Sequence, residues 1–361
     1  MTRVLILGAA AVQADAVASA RAKGHEVHVC AAIPGPANPL ADATADFSFT
    51  ERDLLADYVH RNDIDVVYSV GSDVAMPVIG WIGEALALPY LVSEQVAAIC
   101  NNKTLMRAAL AAHDFSGNAW FVTVGPGDAV PQPGRPVIVK PADSQGQRGI
   151  ARVDSGDLTD AVRAAQAASR AGTAIVEEWL EGPEVSVNGY LVDGVPALAV
   201  VSDRHVWPEH VGLVSGHTMP PTTISDEQAE ATAIMVMEAA RLLGIQQGPV
   251  YAQVKATDDG PRLVEISPRL DGCHLWAVIR ECHGIDLIDA VWTHLIDGAP
   301  PTFPEVVADR TVGIDFVCAP PGTRASFDGS EDVRYYEPGQ EIRAINGRFE
   351  KIGYRIGDRA R

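Results

Sequence analysis

The sequence lacks the cysteine patterns of secreted or zinc-binding proteins. Its 361 residues include five scattered cysteines, and no two of them form a CxxC pair. An odd, dispersed set argues against a disulfide framework and against a structural zinc site. The N-terminus reads as a first core strand and shows no cleavable signal-peptide core. We therefore expect a protein of the reducing cytoplasm.

Long apolar runs and positive charge are also scarce. No stretch approaches the roughly 18 apolar residues of a membrane-spanning helix. The 28 lysines and arginines face 47 aspartates and glutamates, which gives a formal net charge of −19. Because such a surface repels phosphate backbones and anionic lipids, we expect no nucleic-acid and no membrane partner. A site for an anionic nucleotide must gather its own cations.

The first hundred residues alternate strand and helix patterns. Strands are predicted at residues 3–7, 25–31, 64–70 and 90–92. Ser93 is the predicted N-cap of the next helix. Apolar strands separated by helices indicate a parallel α/β sheet, in which ligands sit beyond the carboxyl ends of the strands. Gly8 and residues 71–73 are therefore expected at the rim of a pocket.

A dinucleotide site is the first alternative for this region. The segment 8–11 reads Gly-Ala-Ala-Ala and lacks the second and third glycines of GxGxxG. Cys30 and Ala31 stand where an acidic residue would contact the ribose. Both departures argue against a nicotinamide or flavin cofactor.

The middle of the chain mixes helices with hairpins. Strands are predicted at 136–140, 174–178 and 185–192, and a helix at 158–171. Ser225 and Gln228 form a capping box at the start of another helix. Strands at 250–256 and 262–266 are predicted to form a hairpin around Asp258-Asp259-Gly260. The last sixty residues are rich in glycine, proline and charge and read as a small β-rich extension.

Two segments of the middle region suit phosphate. Lys140 ends an apolar strand, and a lysine at such a place calls for an anionic partner, unless it extends to solvent. The loop 142–149 contains Gly146 and Gly149, whose flexible backbone can turn N–H groups toward phosphate oxygens. An ordinary hairpin loop is the alternative for this segment.

Two further segments carry carboxylates. The segment 176–184 leads from a strand into a Gly-Pro turn, and its acidic side chains can accept hydrogen bonds from adenine or ribose. The alternative is a solvated acidic turn.

Strand alternation places Glu265 and Ser267 on one face, where Gln253 of the paired strand can join them. Such oxygen donors suit Mg²⁺, and Arg269 just beyond suits a phosphoryl group. A half-exposed polar hairpin is the alternative.

The order of these segments resembles the ATP-grasp superfamily over nearly the whole chain. The resemblance implies an α/β ATP-grasp fold in three parts. These are an N-terminal parallel α/β (pre-ATP-grasp) domain at 1–100, an ATP-grasp domain at 101–300 with a lid subdomain at about 136–190, and a C-terminal β-rich extension at 301–361 packed on the ATP-grasp domain.

The resemblance also implies roles for individual residues. As in D-alanine–D-alanine ligases, Glu177 is expected to face the adenine amino group, Leu180 the adenine ring and Glu184 the ribose. The expected nucleotide-binding residues are Lys103, Lys140, Gly146, Glu177, Glu178, Leu180 and Glu184. The carbamoyl phosphate synthetase pattern implies Gln253 and Glu265 as metal ligands and Arg269 as the phosphate contact. Ser267 stands where that pattern has asparagine and is the third expected metal ligand.

The activity implied is that of an ATP-dependent carboxylate–amine ligase. ATP and Mg²⁺, or Mn²⁺ in its place, would activate a small carboxylate as an acyl phosphate, which an amine then attacks; an amino acid is the expected substrate. His217 resembles the histidine of the Gly-His pair in dipeptide-forming L-amino acid ligases and lies in a segment, 203–217, expected to be a long loop. Residues 271–274 are expected to cradle a carboxylate, with Arg204, Trp207 and His274 as weaker candidates. An ATP-grasp carboxylase, a non-catalytic ATP-binding protein and a homodimer stay open.

Overall fold

The computed structural model describes residues 1–143, 149–208, 213–306, 310–345 and 349–360. The N-terminal strands are β1 (Arg3–Leu7), β2 (Glu26–Cys30), β3 (Ala43–Ala45) and β4 (Val66–Tyr68). The helices are α1 (Ala11–Ala22), α2 (Arg52–Arg61), α3 (Ala75–Leu86), α4 (Glu94–Asn101) and α5 (Lys103–Ala111). The strands pair in parallel in the order β3-β2-β1-β4, which confirms the predicted parallel sheet.

One N-terminal strand was assigned to the wrong segment. Residues 90–92 form no strand, and the remaining strand of the four-stranded sheet is β3. Ser93 does cap α4, as predicted, because its hydroxyl accepts from the Val96 N–H at 3.3 Å. The loop 71–73 follows β4 at the carboxyl edge of the sheet, the position expected for a pocket rim.

A small antiparallel sheet follows. It consists of β5 (Phe121–Val124), β6 (Val137–Pro141), β7 (Ala151–Val153) and β8 (Ala174–Glu178), with helix α6 (Thr159–Ala168). The order is β5-β8-β6-β7. Val162 and Ala165 of α6 are buried in one apolar cluster with Val137, Val139 and Val176 of the strands, so the helix covers one face of this sheet.

A large antiparallel sheet spans the rest of the chain. Its strands are β9 (Glu184–Val192), β10 (Val195–Val206), β11 (Val214–Met219), β12 (Gly248–Thr257), β13 (Gly260–Ser267), β14 (Val312–Ala319), β15 (Val333–Arg334) and β16 (Glu350–Asp358). The accompanying helices are α7 (Asp226–Leu242), α8 (Leu275–His283) and α9 (Leu287–Ile296). The strand order is β13-β12-β9-β10-β11-β14-β16-β15, so the C-terminal strands extend the same sheet.

The segment 203–217 was wrongly expected to be a loop without regular structure. Most of it belongs to β10 and β11, which form a hairpin with Arg204 opposite His217. Residues 209–212 at its turn lie outside the described residues. The capping box of Ser225 and Gln228 and the hairpin of β12 and β13 are both confirmed.

The largest apolar cluster lies between the N-terminal sheet and the large sheet. It joins Val4 and Ile6 of β1 to Leu275 of α8, Trp292 of α9 and Ile314 of β14. The N-terminal layer and the C-terminal strands therefore share one core. All five cysteines are free. In the described part of the chain, no helix is long and apolar enough to cross a membrane.

Candidate active site

Glu177 is the centre of a buried charge cluster on the small sheet. Lys140 of β6 donates its Nζ to Glu177 Oε2 at 2.6 Å, and Arg107 of α5 donates its Nε to Oε1 at 2.9 Å. All three side chains are less than a tenth exposed. Burial raises the pKa of Glu177, but the charges of Arg107 and Lys140 outweigh it and lower the pKa to about 2. The two cations exceed the one carboxylate, so the cluster keeps positive charge for an anion.

The residues after Glu177 form the turn that was expected to hold adenine. Glu178 has different partners from Glu177, as strand alternation requires. It accepts from the Trp120 N–H at 2.8 Å and lies 3.7 Å from Arg135. Leu180 is half-buried after the end of β8. The adenine contacts of Glu177, Glu178 and Leu180 stay predictions, and both oxygens of Glu177 are already bonded to cations.

Glu184, the first residue of β9, is surrounded by donors from neighbouring strands. Arg204 of β10 donates to its Oε1. Gln253 of β12 donates its Nε2 to the same oxygen at 2.5 Å, and Lys255 Nζ lies 3.5 Å from Oε2. The structure thus brings together two residues that were assigned to different ligands, the ribose for Glu184 and the metal for Gln253. The ribose contact stays a prediction.

The expected metal ligands lie on two paired strands. Gln253 of β12 stands opposite Glu265 of β13 in the register, so their side chains share a face. Gln253 uses its amide N–H toward Glu184, which leaves its amide oxygen available as a ligand. Among the described residues, no three His, Cys, Asp or Glu side chains are grouped to hold a metal ion. One carboxylate and one amide oxygen fit Mg²⁺ or Mn²⁺ only where phosphate oxygens and water complete the shell.

Arg269 is hydrogen-bonded to Asp73, which follows strand β4 of the N-terminal sheet. Its Nε and Nη2 donate to the two carboxylate oxygens of Asp73 at 2.5 and 2.7 Å, and Ser267 Oγ donates to Asp73 Oδ1 at 2.7 Å. Burial lowers the pKa of Arg269, but the Asp73 charge outweighs it and raises that pKa above its ordinary value. The expected metal ligand Ser267 therefore has its hydroxyl proton committed to Asp73, and its metal role stays a prediction.

His217 is a neutral, buried imidazole on β11. Burial lowers its pKa to about 3. Its Nδ1 lies 2.9 Å from the Asp203 carbonyl oxygen, which can only accept, so Nδ1 carries the proton. Nε2 is buried and has no hydrogen-bond partner among the described residues. This nitrogen is therefore a lone-pair acceptor.

The predicted carboxylate cradle at 271–274 includes a carboxylate of the chain itself, Asp271. Asp271 accepts from the Cys273 N–H at 2.5 Å and the Leu275 N–H at 3.1 Å, so the start of α8 is capped by the chain's own carboxylate. Burial raises the pKa of Asp271 to about 6. His274 faces Asp15, with 2.9 Å between Nδ1 and Oδ2. Asp271 thus takes two of the backbone N–H groups at this helix start, and a substrate carboxylate at 271–274 stays a prediction.

Of the remaining candidates, the structure describes Lys103 and Trp207 but not Gly146. Lys103 begins α5, and its N–H donates to the Ala142 oxygen at 2.9 Å, at the start of the glycine loop. Gly146 lies outside the described residues. The Trp207 N–H closes the β10–β11 hairpin by donating to the Leu213 oxygen at 2.9 Å. Its role near the substrate stays a prediction.

Sequence reasoning missed Arg107 and assigned Asp73 only to a pocket rim. A signal for Arg107 exists, since it lies on the buried face of α5 with Met106 and Leu110, where a charge needs a partner. Asp73 gives no such signal, because its partners Ser267 and Arg269 are nearly 200 residues away.

Comparison with known proteins identifies similar sequences and a similar fold. Residues 134–275 match the family model of the ATP-grasp domain. Dapdiamide A synthase of Enterobacter agglomerans is 28% identical over 232 residues, which cover 59% of this chain and 53% of that protein. Carnosine synthase 1 of Gallus gallus is 31% identical over 136 residues, which cover 38% of this chain and 14% of that protein. The chain spans about half or less of the length of the first curated relatives it matches.

A solved structure supports the same fold. The L-amino acid ligase from Bacillus licheniformis superposes with a TM-score of 0.80 at 18% identity, covering 99% of this chain and 93% of that one. A likeness at this identity concerns the fold and leaves the substrate open. Residues 134–275 match the ATP-grasp domain, and the chain has the ATP-grasp fold, with an N-terminal parallel sheet and antiparallel sheets in the central and C-terminal regions.

Proposed function

We propose that this chain is an ATP-dependent ligase that joins a carboxylate to an amine, with an amino acid as one substrate. The observation that carries the proposal is the register of β12 and β13. It sets Gln253 opposite Glu265, and Arg269 follows two residues after the end of β13. Oxygen ligands beside an arginine suit the terminal phosphates of a nucleotide and the phosphoryl group in transfer.

The side chains supply positioning and positive charge. Lys140 and Lys103 neutralise phosphate oxygens, and Arg269 binds the transferring phosphoryl group. A divalent ion on Glu265 and Gln253 would neutralise further charge on the phosphates. The substrate carboxylate attacks the γ-phosphorus and ADP leaves. The amine then attacks the acyl carbon, phosphate leaves, and the nitrogen gives up a proton to form the amide.

His217 supports an amine or ammonium at this site. Because Nδ1 is the protonated nitrogen, Nε2 offers a lone pair that can accept an N–H of an amino acid substrate. A pKa of about 3 keeps this acceptor neutral at physiological pH. Two relatives agree with such a substrate, since one is an L-amino acid ligase and another is carnosine synthase 1 by name.

The test is phosphate release from Mg-ATP with single amino acids, with pairs of amino acids and with bicarbonate. We expect release that depends on a pair, a product heavier by one amide condensation in mass spectra, and a loss of at least about 100-fold in Glu265→Ala. Glu238→Ala, on the exposed face of α7, is the control and keeps full activity. Release with bicarbonate alone would instead indicate a carboxylase, and no release with any mixture would overturn the ligase proposal.

A further inference from the structure

We propose that Asp73 of the N-terminal domain is the positioning residue for Arg269, and that it holds the guanidinium in the orientation that meets the transferred phosphoryl group. This inference rests on the proposed function, because it assigns Arg269 to that group. It adds a part of the molecule outside the ATP-grasp domain match, which begins at residue 134.

The contact between Asp73 and Arg269 is bidentate and buried. Both carboxylate oxygens are used, at 2.5 Å to Nε and 2.7 Å to Nη2. Arg269 is 5% exposed and Asp73 is 9% exposed. A paired fork fixes the plane and direction of a guanidinium, which a single contact would leave free to rotate.

The surroundings hold both partners of the pair. Ser267 donates to Asp73 Oδ1 at 2.7 Å, and Arg269 Nη1 donates to the Leu270 oxygen at 3.1 Å. The Arg269 guanidinium also lies over the Tyr251 ring, 5.4 Å from its centroid. These contacts leave the side chain little rotational freedom.

The backbone around Asp73 is anchored to the segment that follows Arg269. The Gly71 N–H donates to the Leu270 oxygen at 3.2 Å. Gly71 has φ of +67°, and a Cβ there would lie 2.9 Å from the Gly272 Cα, so a larger residue would separate the two segments. The carboxylate of Asp73 is thus fixed relative to the backbone of Arg269.

Two N–H groups of Arg269 make no hydrogen bond to any other described residue. A guanidinium has five N–H groups, and Asp73 and Leu270 take three of them. The two others are one on each terminal nitrogen, the pair that an incoming phosphoryl oxygen can bind. Asp73 therefore selects which edge of Arg269 faces the anion.

The experiment compares Asp73→Asn and Asp73→Glu with Arg269→Ala in the full-length chain. It measures dissociation constants for Mg-ADP and for the β,γ-imido analogue of Mg-ATP, with kcat and KM for phosphate release. Asn puts an amide donor against the guanidinium and loses the fork. We expect a kcat lower by about 100-fold, an unchanged Kd for Mg-ADP, and a loss of the preference for the triphosphate like that in Arg269→Ala. The double variant Asp73→Asn/Arg269→Ala should lose no more than Arg269→Ala.

Asp73→Glu keeps the charge and moves the carboxylate by one methylene. It therefore tests the positioning of Arg269 even if Asp73→Asn does not fold. We expect it to fold with a reduced kcat and an unchanged KM for ATP. The control is Glu94→Gln, which breaks the Arg52–Glu94 pair of the N-terminal domain and should change neither nucleotide affinity.

Three outcomes are distinguished by these data. If a folded Asp73 variant keeps the wild-type kcat and triphosphate preference, or binds the triphosphate more tightly, positioning by Asp73 is overturned. If Asp73→Glu keeps wild-type kcat where Asp73→Asn fails to fold, the residue is structural and the inference also fails. If the wild-type chain binds neither nucleotide, the proposed function fails before Asp73 is tested.

Discussion

Two buried carboxylates, Glu177 and Asp73, organise cations in different ways. Glu177 bonds to Arg107 and Lys140, so the cluster contains more positive than negative charge. Asp73 bonds to Arg269 and to the Ser267 hydroxyl, so the ion pair itself is neutral. The first arrangement attracts an anion, whereas the second sets the direction of one cation.

The two clusters also differ in what they connect. Glu177 and Lys140 lie on paired strands of one sheet, and Arg107 comes from the adjacent helix α5. Asp73 reaches from the N-terminal domain to residues nearly 200 positions later. A defect at Glu177 should therefore appear first in stability, and a defect at Asp73 in catalysis.

Replacing Glu177 by glutamine should give the largest loss of stability. The variant leaves Arg107 and Lys140 buried beside a neutral amide, so we expect the free energy of unfolding to fall by roughly 3–5 kcal/mol in a urea titration. Glu178→Gln is the matched control one residue along the strand. Its partner Arg135 is half-exposed, and the loss should stay within about 1 kcal/mol. Equal losses would contradict the role given to Glu177.

The same variant should change the response to acid. The folded pKa of Glu177, about 2, lies below its ordinary value of 4.5. A depressed pKa means that the stabilisation is complete above about pH 4.5 and is lost as pH falls toward 2. Wild type should lose stability across that window more steeply than Glu177→Gln, measured as unfolding midpoints at each pH.

Replacing Lys140 by methionine separates charge from packing within the Glu177 cluster. Arg107 still pairs with Glu177, so we expect a smaller loss of stability than in Glu177→Gln. Nucleotide binding should weaken by about 10- to 100-fold, because a charged hydrogen bond to phosphate contributes about 1.5–3 kcal/mol. Calorimetric titration with Mg-ADP measures this effect. The control is Lys23→Met, which removes the ion pair between Lys23 and Asp289. An unchanged nucleotide affinity in Lys140→Met would contradict the phosphate role of Lys140.

Replacing Ser267 by alanine should give the smallest effect. One hydrogen bond to Asp73 is lost, at a cost of about 1 kcal/mol in unfolding free energy. If Ser267 acts only as a donor to Asp73, the Mg²⁺ concentration for half-maximal phosphate release stays unchanged. A several-fold rise in that concentration would show instead that Ser267 is a metal ligand.

Local patterns were enough to predict much of the fold. Apolar runs located β1 and β4, and the Ser225 cap located α7, because these features act within a few residues. The strand β3 could not be found this way, since Ala43–Ala45 has no apolar pattern and exists by pairing with β2. The hairpin of β10 and β11 was missed because the strand ends that form it, at 203–205 and 215–218, are mostly polar. One of these polar residues, Asp203, is stabilised by Thr222 and Thr223, which follow β11.

The site was predictable in its parts and unpredictable in its pairings. The sequence order indicated Lys140, Glu177 and Arg269 as separate candidates. It did not indicate that Glu177 holds Lys140 or that Asp73 holds Arg269, because those contacts depend on how sheets and domains pack. The protonation state of His217 could not be predicted either, because its pKa is lowered by burial in the folded protein.

The continuity of the large sheet limits where the chain can be truncated. Strand β11, which carries His217, is hydrogen-bonded to β14 of the C-terminal region through Gly216–Met219 and Val312–Asp315. A truncation at residue 300 would leave β11 as an exposed edge with unpaired N–H and C=O groups, open to pairing with other chains. The match at 134–275 therefore covers only part of a sheet that continues into the C-terminal strands.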